Sequence, residues 1–354
     1  MRVALVAQPF LSVPPVRYGG TELFIAQLAE GLRNSGVEVV VYTNGASTVG
    51  VERRWLYKDR QWPVTGDASE QLKSLNHSSW AVHDAQSCDV IHLHDVTSLL
   101  FTRYIESKVV YTLHHTHEPE LSEIYNSFPD VEYVCISNDQ RRREHMLRMH
   151  TIHHGIDLNL YRLQSRKQDY LCFLGRLAPI KGTHIAIEVA KKTGIPLKIA
   201  GEIQPIYQDY FDQQVKPHLD GKFIEYVGEV DLAAKNELLG NSFAMLFPIQ
   251  WDEPFGLVMI EAMACGTPVL ALPGGSVPEV IRDGISGYLC GTPQEMAQRA
   301  RALPGQFKPT SVRQYCRKYF SLERMVTDYL ELYQEMFAEE HALGKTTNIL
   351  PMVA

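Results

Sequence analysis

Two successive series of short apolar runs, alternating with stretches of helical length, constrain the fold of this chain more than any single motif in it. The first series occupies residues 3–7, 37–42, 89–94, 108–114 and 131–137, with residues 151–154 following a further helix. The second occupies residues 170–174, 197–200, 224–227, 244–247 and 268–271. Runs that are apolar throughout suit strands buried on both faces, and the helical stretches between them suit the crossovers of a parallel sheet. The pattern predicts an α/β protein of two Rossmann-like, doubly wound parallel-sheet domains. A first helix is expected over about residues 21–34, capped by Thr21 or Gly20 and stopped at Gly36. Residues 157–168 are polar and without pattern, which reads as the linker. In open α/β sheets ligands bind beyond the carboxyl ends of the strands. Those ends carry polar residues in both series, so the expected site is a central cleft that the two domains face. The halves share an architecture but no strict repeat.

Length and composition agree with this division. A chain of 354 residues exceeds what one hydrophobic core normally supports, so two domains are the default. With 45% hydrophobic and 21% charged residues it has the composition of a soluble globular protein. A formal net charge of −7 argues against a general nucleic-acid binder. Six cysteines without a C-x-x-C pair read as reduced thiols, hence a cytoplasmic location. The first apolar run gives way to Gln8 and Pro9 too early for a signal peptide and reads as a buried strand. No run approaches the roughly 18 apolar residues of a membrane span; peripheral membrane contact stays open.

Chemistry concentrates in the segment from Asp252 to Val269. Glu253 precedes Pro254, and Glu261 lies eight residues on, before Gly266, Thr267 and Pro268. Pro in a first turn and Gly past a last one predict a helix with Glu253 at its mouth and Glu261 along it. At about 1.5 Å per residue, the carboxylates lie roughly 12 Å apart or less. That separation suits the two ends of a nucleotide sugar, with its diphosphate at the helix N-terminus. The bland alternative is an amphipathic helix with two solvated acids. Leu174-Gly175-Arg176-Leu177-Ala178-Pro179-Ile180-Lys181-Gly182 follows a strand and precedes a helix. An Arg fork and a compact Lys charge suit a diphosphate, although alone they read equally as exposed basic residues.

In this order, the two segments resemble the Gly-Arg-Leu-x-x-x-Lys-Gly and Glu-x7-Glu signatures of retaining GT-B glycosyltransferases of family 4 (glycosyl transferases group 1). The resemblance implies a two-domain molecule: residues 1–160 on the acceptor side, residues 165–320 binding the donor, and a last helix at about 321–345 packing back on the first domain. It implies that Arg176 and Lys181 hold the donor diphosphate, that Glu253 orients the hexose, and that Glu261 holds the ribose. Phe255, Gly256 and Leu257 fall in the same donor segment. Gly19 and Gly20 look like the loop that reaches the donor phosphate from the opposite domain. Val227 and Glu229 stand where family members hold the base. Residues 273–281 match a loop that shapes the cleft.

His114 matches the family's cleft histidine beside the transferred sugar, with His115 as second choice. His92 and His94 alternate on one strand next to Asp95, and such crowding raises a metal reading. A zinc site needs a fixed ligand geometry that this pattern does not specify, so polar residues lining a sugar cleft are preferred and no metal is expected. Acceptor candidates are Tyr18, His94, Asp95, His115, Glu118 and Ser137, with residues 59–87 as a further rim. His154 stands where relatives commonly carry Asn, and its role is left open. The basic run Arg141–Arg143 reads as a solvated face.

The implied activity is metal-independent transfer of a hexosyl unit from a UDP-, GDP- or ADP-sugar to an acceptor hydroxyl, by a front-face mechanism with retention and without a cofactor. The alternatives are a nucleotide-sugar-binding protein without transfer, or another GT-B enzyme such as a sugar-nucleotide 2-epimerase. A nicotinamide enzyme is disfavoured, because no Gly-x-Gly-x-x-Gly follows the first strand.

Overall fold

The structure, a computed structural model, describes residues 1–16, 19–60 and 67–346, the last eight as helical backbone alone. The first sheet contains β1 (Arg2–Val6), β2 (Glu38–Thr43), β3 (Glu52–Trp55), β4 (Val90–Leu93), β5 (Lys108–Leu113), β6 (Glu132–Cys135) and β7 (Met149–Thr151), in the order 3-2-1-4-5-6-7. The second contains β8 (Gln168–Leu174), β9 (Leu197–Ala200), β10 (Ile224–Gly228), β11 (Ser242–Phe247), β12 (Val269–Ala271) and β13 (Gly287–Leu289), in the order 10-9-8-11-12-13. All neighbouring strands pair in parallel. Both orders wind outward from a central pair, β1/β4 in one sheet and β8/β11 in the other. Each sheet therefore has a topological switch point, where a crevice opens at the strand ends.

The continuous apolar runs follow from burial on two faces. Along β1, Val3 and Leu5 enter one core cluster while Ala4 and Val6 enter another on the opposite face. Along β8, Leu171 and Phe173 face one cluster, and Cys172 and Leu174 the other. Successive side chains point to opposite faces of a strand, so a strand covered on both sides must be apolar at every position. The six cysteines are all unpaired and buried within these layers.

Four details differ from the sequence reading. β3 and β13 were not anticipated. The first is an edge strand that carries Glu52, Arg53 and Arg54, since an edge meets water and needs no apolar run. The second is three residues long and opens on Gly287. The first helix spans Gly20–Asn34 and is capped by Gly19, whose φ of 141° suits glycine, rather than by Thr21 or Gly20. Lastly, residues 157–168 are strapped down. Leu158 and Tyr161 are buried in the second core, and the Arg313 guanidinium donates to their carbonyls at 2.7 and 2.8 Å.

The chain crosses between the sheets twice, and the two crossings lie side by side. The Ile156 N–H donates to Phe320 O at 3.0 Å, and the Leu322 N–H donates to Ile156 O at 2.9 Å. A Cβ on Gly155 would stand 2.2 Å from Ser321 O, so glycine is what lets the crossings touch. The last helix, Leu322–Thr346, follows a separate one at Pro309–Phe320. It places Met325, Val326, Tyr329, Leu332, Tyr333 and Met336 in the core of the first sheet.

Candidate active site

A cleft of about 710 Å³ lies between the sheets, within the range of roughly 300–1,000 Å³ usual for small-molecule sites. Two helices begin on it from opposite walls. Gly20–Asn34 enters from the first half and Leu257–Ala264 from the second, and neither has a side-chain cap. A Cβ on Gly20 would meet Leu257 Cδ1 at 3.5 Å, so the two helix starts face each other closely. Free N–H groups and aligned dipoles at both starts favour an anion between them.

The second helix begins later than the sequence reading placed it. Gly256, at φ 82°, is its N-cap, and Pro254 stays in the preceding loop. Glu253 thus stands outside the helix, the residue only 7% exposed. Its Oε2 accepts hydrogen bonds from Lys181 Nζ at 2.5 Å and from Trp251 Nε1 at 2.9 Å. Burial pushes the Lys181 pKa down, the Glu253 carboxylate opposes that shift, and Arg176 adds to it. The loop after β12 braces this arrangement: the Ser276 N–H donates to Glu253 O at 2.9 Å, and Ser276 Oγ to Phe255 O at 2.9 Å.

Glu261 is 1% exposed and lines the cleft from within the helix. Its Oε1 accepts from Tyr161 OH at 2.8 Å and from Lys235 Nζ at 2.6 Å. Its Oε2 is buried without a partner among the described residues. A half-satisfied buried carboxylate is costly unless something else donates to it, as a ligand hydroxyl can. Arg176, just past the end of β8, lines the same cleft, and its Nη1 donates to Gln204 Oε1 at 3.3 Å. Its buried Nε has no hydrogen-bond partner among the described residues.

Most of the sequence-selected residues meet at this cleft. Gly19, Gly20, His114, His115, Arg176 and Lys181 line it, as do Glu229, Glu253, Phe255, Gly256, Leu257 and Glu261. Val227, by contrast, is 36% exposed and outside the lining. The acceptor candidates divide. His115 lines the cleft, but both ring nitrogens are engaged, Nδ1 with Thr116 O and Nε2 with Tyr125 OH, each at 2.6 Å. Glu118 lines it as well. Asp95 and Ser137 are buried helix caps away from it, accepting from Ser98 N–H at 2.8 Å and Gln140 N–H at 3.1 Å. Such cap positions are set by local turns rather than by a ligand. His94 is buried behind His114. Tyr18 lies outside the described residues, as does part of the rim at residues 59–87.

The histidines form a packed column rather than a ligand set. Ring centroids lie 4.2 Å apart for His92 and His94, 5.3 Å for His94 and His114, and 5.5 Å for His114 and His154. Burial pushes His114 down to about 3 and His92, His94 and His154 well below their usual range, with neighbouring imidazoles adding to each shift. Among the described residues, no group of three or more His, Cys, Asp or Glu side chains is placed to hold a metal.

Sequence reasoning missed Tyr161, Lys235 and Trp251. An aromatic in a segment read as linker and a lysine on a surface helix give no local signal. It also left Glu279 without a role. That carboxylate accepts the Asn138 and Asp139 N–H groups at 2.8 and 2.6 Å and pairs with His153 Nε2 at 2.9 Å, joining the two halves. In the basic run, Arg143 reaches across to Asp252 at 2.7 Å, so one of the three arginines belongs to this seam.

Comparisons with known proteins agree with the geometry. The family model described as "Glycosyltransferase Family 4" matches residues 18–160, and the one described as "Glycosyl transferases group 1" matches residues 162–306. The chain is 28% identical to the D-inositol 3-phosphate glycosyltransferase of Mycobacterium marinum over 365 residues, covering 86% of this chain and 77% of that one. It is 24% identical to the phosphatidyl-myo-inositol mannosyltransferase of Mycobacterium tuberculosis over 320 residues, covering 82% of each. The Anabaena protein HepE, solved with UDP and glucose, superposes with a TM-score of 0.76 at 19% identity, covering 95% of this chain and 100% of that one. No helix among the described residues is long and apolar enough to cross a membrane.

Proposed function

This chain belongs to the group 1 glycosyltransferases of the GT-B fold, and we propose that it moves a hexosyl unit from a nucleotide diphosphate sugar to an acceptor hydroxyl with retention of configuration. The observation that carries this reading is the pair of buried carboxylates on one wall of the cleft, Glu253 before the helix Leu257–Ala264 and Glu261 within it. Glu253 is clamped by Lys181, and Glu261 has one buried oxygen without a partner among the described residues.

In the proposed reaction the diphosphate lies between the starts of Gly20–Asn34 and Leu257–Ala264, with Arg176 and Lys181 beside it. As the glycosidic bond to phosphate breaks, charge on the leaving diphosphate is met by groups already in place, which is electrostatic stabilisation. Two side-chain cations and two helix starts supply the positive field that a divalent ion supplies elsewhere, so transfer proceeds without metal. The acceptor oxygen attacks the anomeric carbon on the face the phosphate leaves, and the departing phosphate oxygen takes the proton. Glu253 orients the hexose, and Glu261 Oε2 accepts from the ribose. His114 is neutral at physiological pH, so it acts as a hydrogen-bonding group rather than as an acid. Donor chemistry falls to the second half and acceptor binding to the first.

The relatives' names supply the acceptor class to try first: inositol phosphates and phosphatidylinositol, alongside simple sugars. Nucleoside diphosphate release is measured from UDP-, GDP- and ADP-hexoses, with and without these acceptors, in EDTA. Release from one donor that rises with an acceptor is expected. Glu253→Ala should reduce it to background with the fold intact; near-wild-type turnover in that variant would refute the assignment.

A further inference from the structure

Two buried ring nitrogens in the histidine column have no hydrogen-bond partner among the described residues: Nε2 of His94 and Nδ1 of His154. Both imidazoles are neutral, so each carries one N–H and one lone pair. A buried N–H without an acceptor is rarer and costlier than an unused lone pair, so the proton sits on the other nitrogen of each ring. For His94 that is Nδ1, which lies 3.1 Å from His114 Nε2 and therefore donates to it. His114 Nε2 is then an acceptor, and the His114 proton sits on Nδ1, which has no protein partner among the described residues. For His154 the proton sits on Nε2, which likewise makes no hydrogen bond to the described residues. Both His114 and His154 line the cleft. Their rings lie nearly parallel, 16° apart, with centroids 5.5 Å apart. His154 is held between Phe24 at 4.7 Å and Phe255 at 5.0 Å, and Phe255 belongs to the loop that carries Glu253.

We propose that His154 is a second sugar-contacting residue. With His114, whose tautomer is set by His94, it presents a pair of neutral N–H donors to hydroxyl oxygens of the transferred hexose. The inference rests on the glycosyl-transfer reading for the identity of the ligand, but not for the tautomers. Two uncharged donors in a dry pocket suit polyol oxygens, because they add no charge to be neutralised when the pocket is empty. His154 is thus a specificity-determining residue and His94 a positioning residue that acts through His114.

Long-range 1H–15N spectra of the histidine-labelled protein read the three tautomers without any ligand. Nδ1–H is expected for His94 and His114, and Nε2–H for His154. Protonation of His154 at Nδ1, or of His114 at Nε2, overturns the proposal. Steady-state kinetics with UDP-, GDP- and ADP-hexoses then compare His154→Phe, which keeps the aromatic packing, with His154→Asn, which keeps an N–H donor. His154→Phe should lower kcat/KM for the donor on the order of tenfold, the share of one hydrogen bond, with the Kd of the free nucleoside diphosphate unchanged. His154→Asn should recover most of the loss. Full activity in a folded His154→Phe protein, or equal losses in donor turnover and free nucleotide affinity, would show a packing role only. Failure of every nucleotide sugar to bind wild-type protein would refute the transferase reading and the sugar contact with it, while the tautomers would stand.

Discussion

Glu261 keeps one oxygen for Tyr161 and Lys235 and leaves the other without a partner among the described residues, although the side chain is almost fully enclosed. A group so arranged is completed by a ligand, and Glu261→Gln should show it. The amide keeps the shape but weakens a charge-assisted bond, so donor KM should rise on the order of tenfold. The melting temperature should move little. A variant with unchanged KM would mean that no ligand hydroxyl reaches Oε2. Glu253, Glu261, Arg176 and Lys181 were singled out in the sequence through their resemblance to two family signatures, since spacing alone fitted solvated side chains as well, and the structure brings all four to one cleft. Tyr161 and Lys235 were not, because they reach Glu261 from segments remote in sequence, through packing that no local pattern records. Asp95 and Ser137 misled for the opposite reason: a polar residue at a strand end serves equally well as a cap for the next helix.

At the scale of elements, β4, β5 and the segment after β7 deliver four histidines into one dry column. Their charge-bearing forms are excluded from the fold but open to the unfolded chain. Between each folded pKa and the ordinary 6.5, the unfolded chain binds more protons, so stability declines as pH falls below 6.5. The decline approaches about 1.4 kcal/mol per pH unit for each imidazole that must stay neutral. For His114 this window extends from 6.5 down to about 3. Urea unfolding at pH 7.5 and pH 5.5 measures it; equal unfolding free energies at the two values would show that the column accepts protons while folded. Alternating apolar runs announced the strands that carry this column. The edge strand β3 stayed hidden, because the physics that makes a central strand apolar does not act where one side meets water.

For the whole molecule, the contact that matters most is the one where the chain passes itself. Gly155 lies against Ser321 O, and Ile156 bonds to both Phe320 and Leu322. Gly155→Ala forces a methyl group to 2.2 Å from that carbonyl oxygen, so the crossings must separate. A cost of about 1–3 kcal/mol is expected, the usual range for overpacking. Differential scanning calorimetry reads it; a melting temperature unchanged within error would show that the crossings yield freely. Small-angle scattering with and without nucleotide sugar would then report whether the halves joined by these crossings close on the ligand. Residues 157–168 read as the linker from their polar composition, and Arg313 fastens that stretch from a helix some 150 residues away in the chain.

The return of the last helix also sets an order of assembly. Tyr329 and Tyr333 reach Thr112 and His92 of the first sheet by hydrogen bonds of 2.9 and 2.8 Å, so that sheet is not closed until they arrive. On the ribosome, the half made first is therefore finished last. Its uncovered face waits through the synthesis of the entire second half, which holds all its own strands and can fold ahead of it.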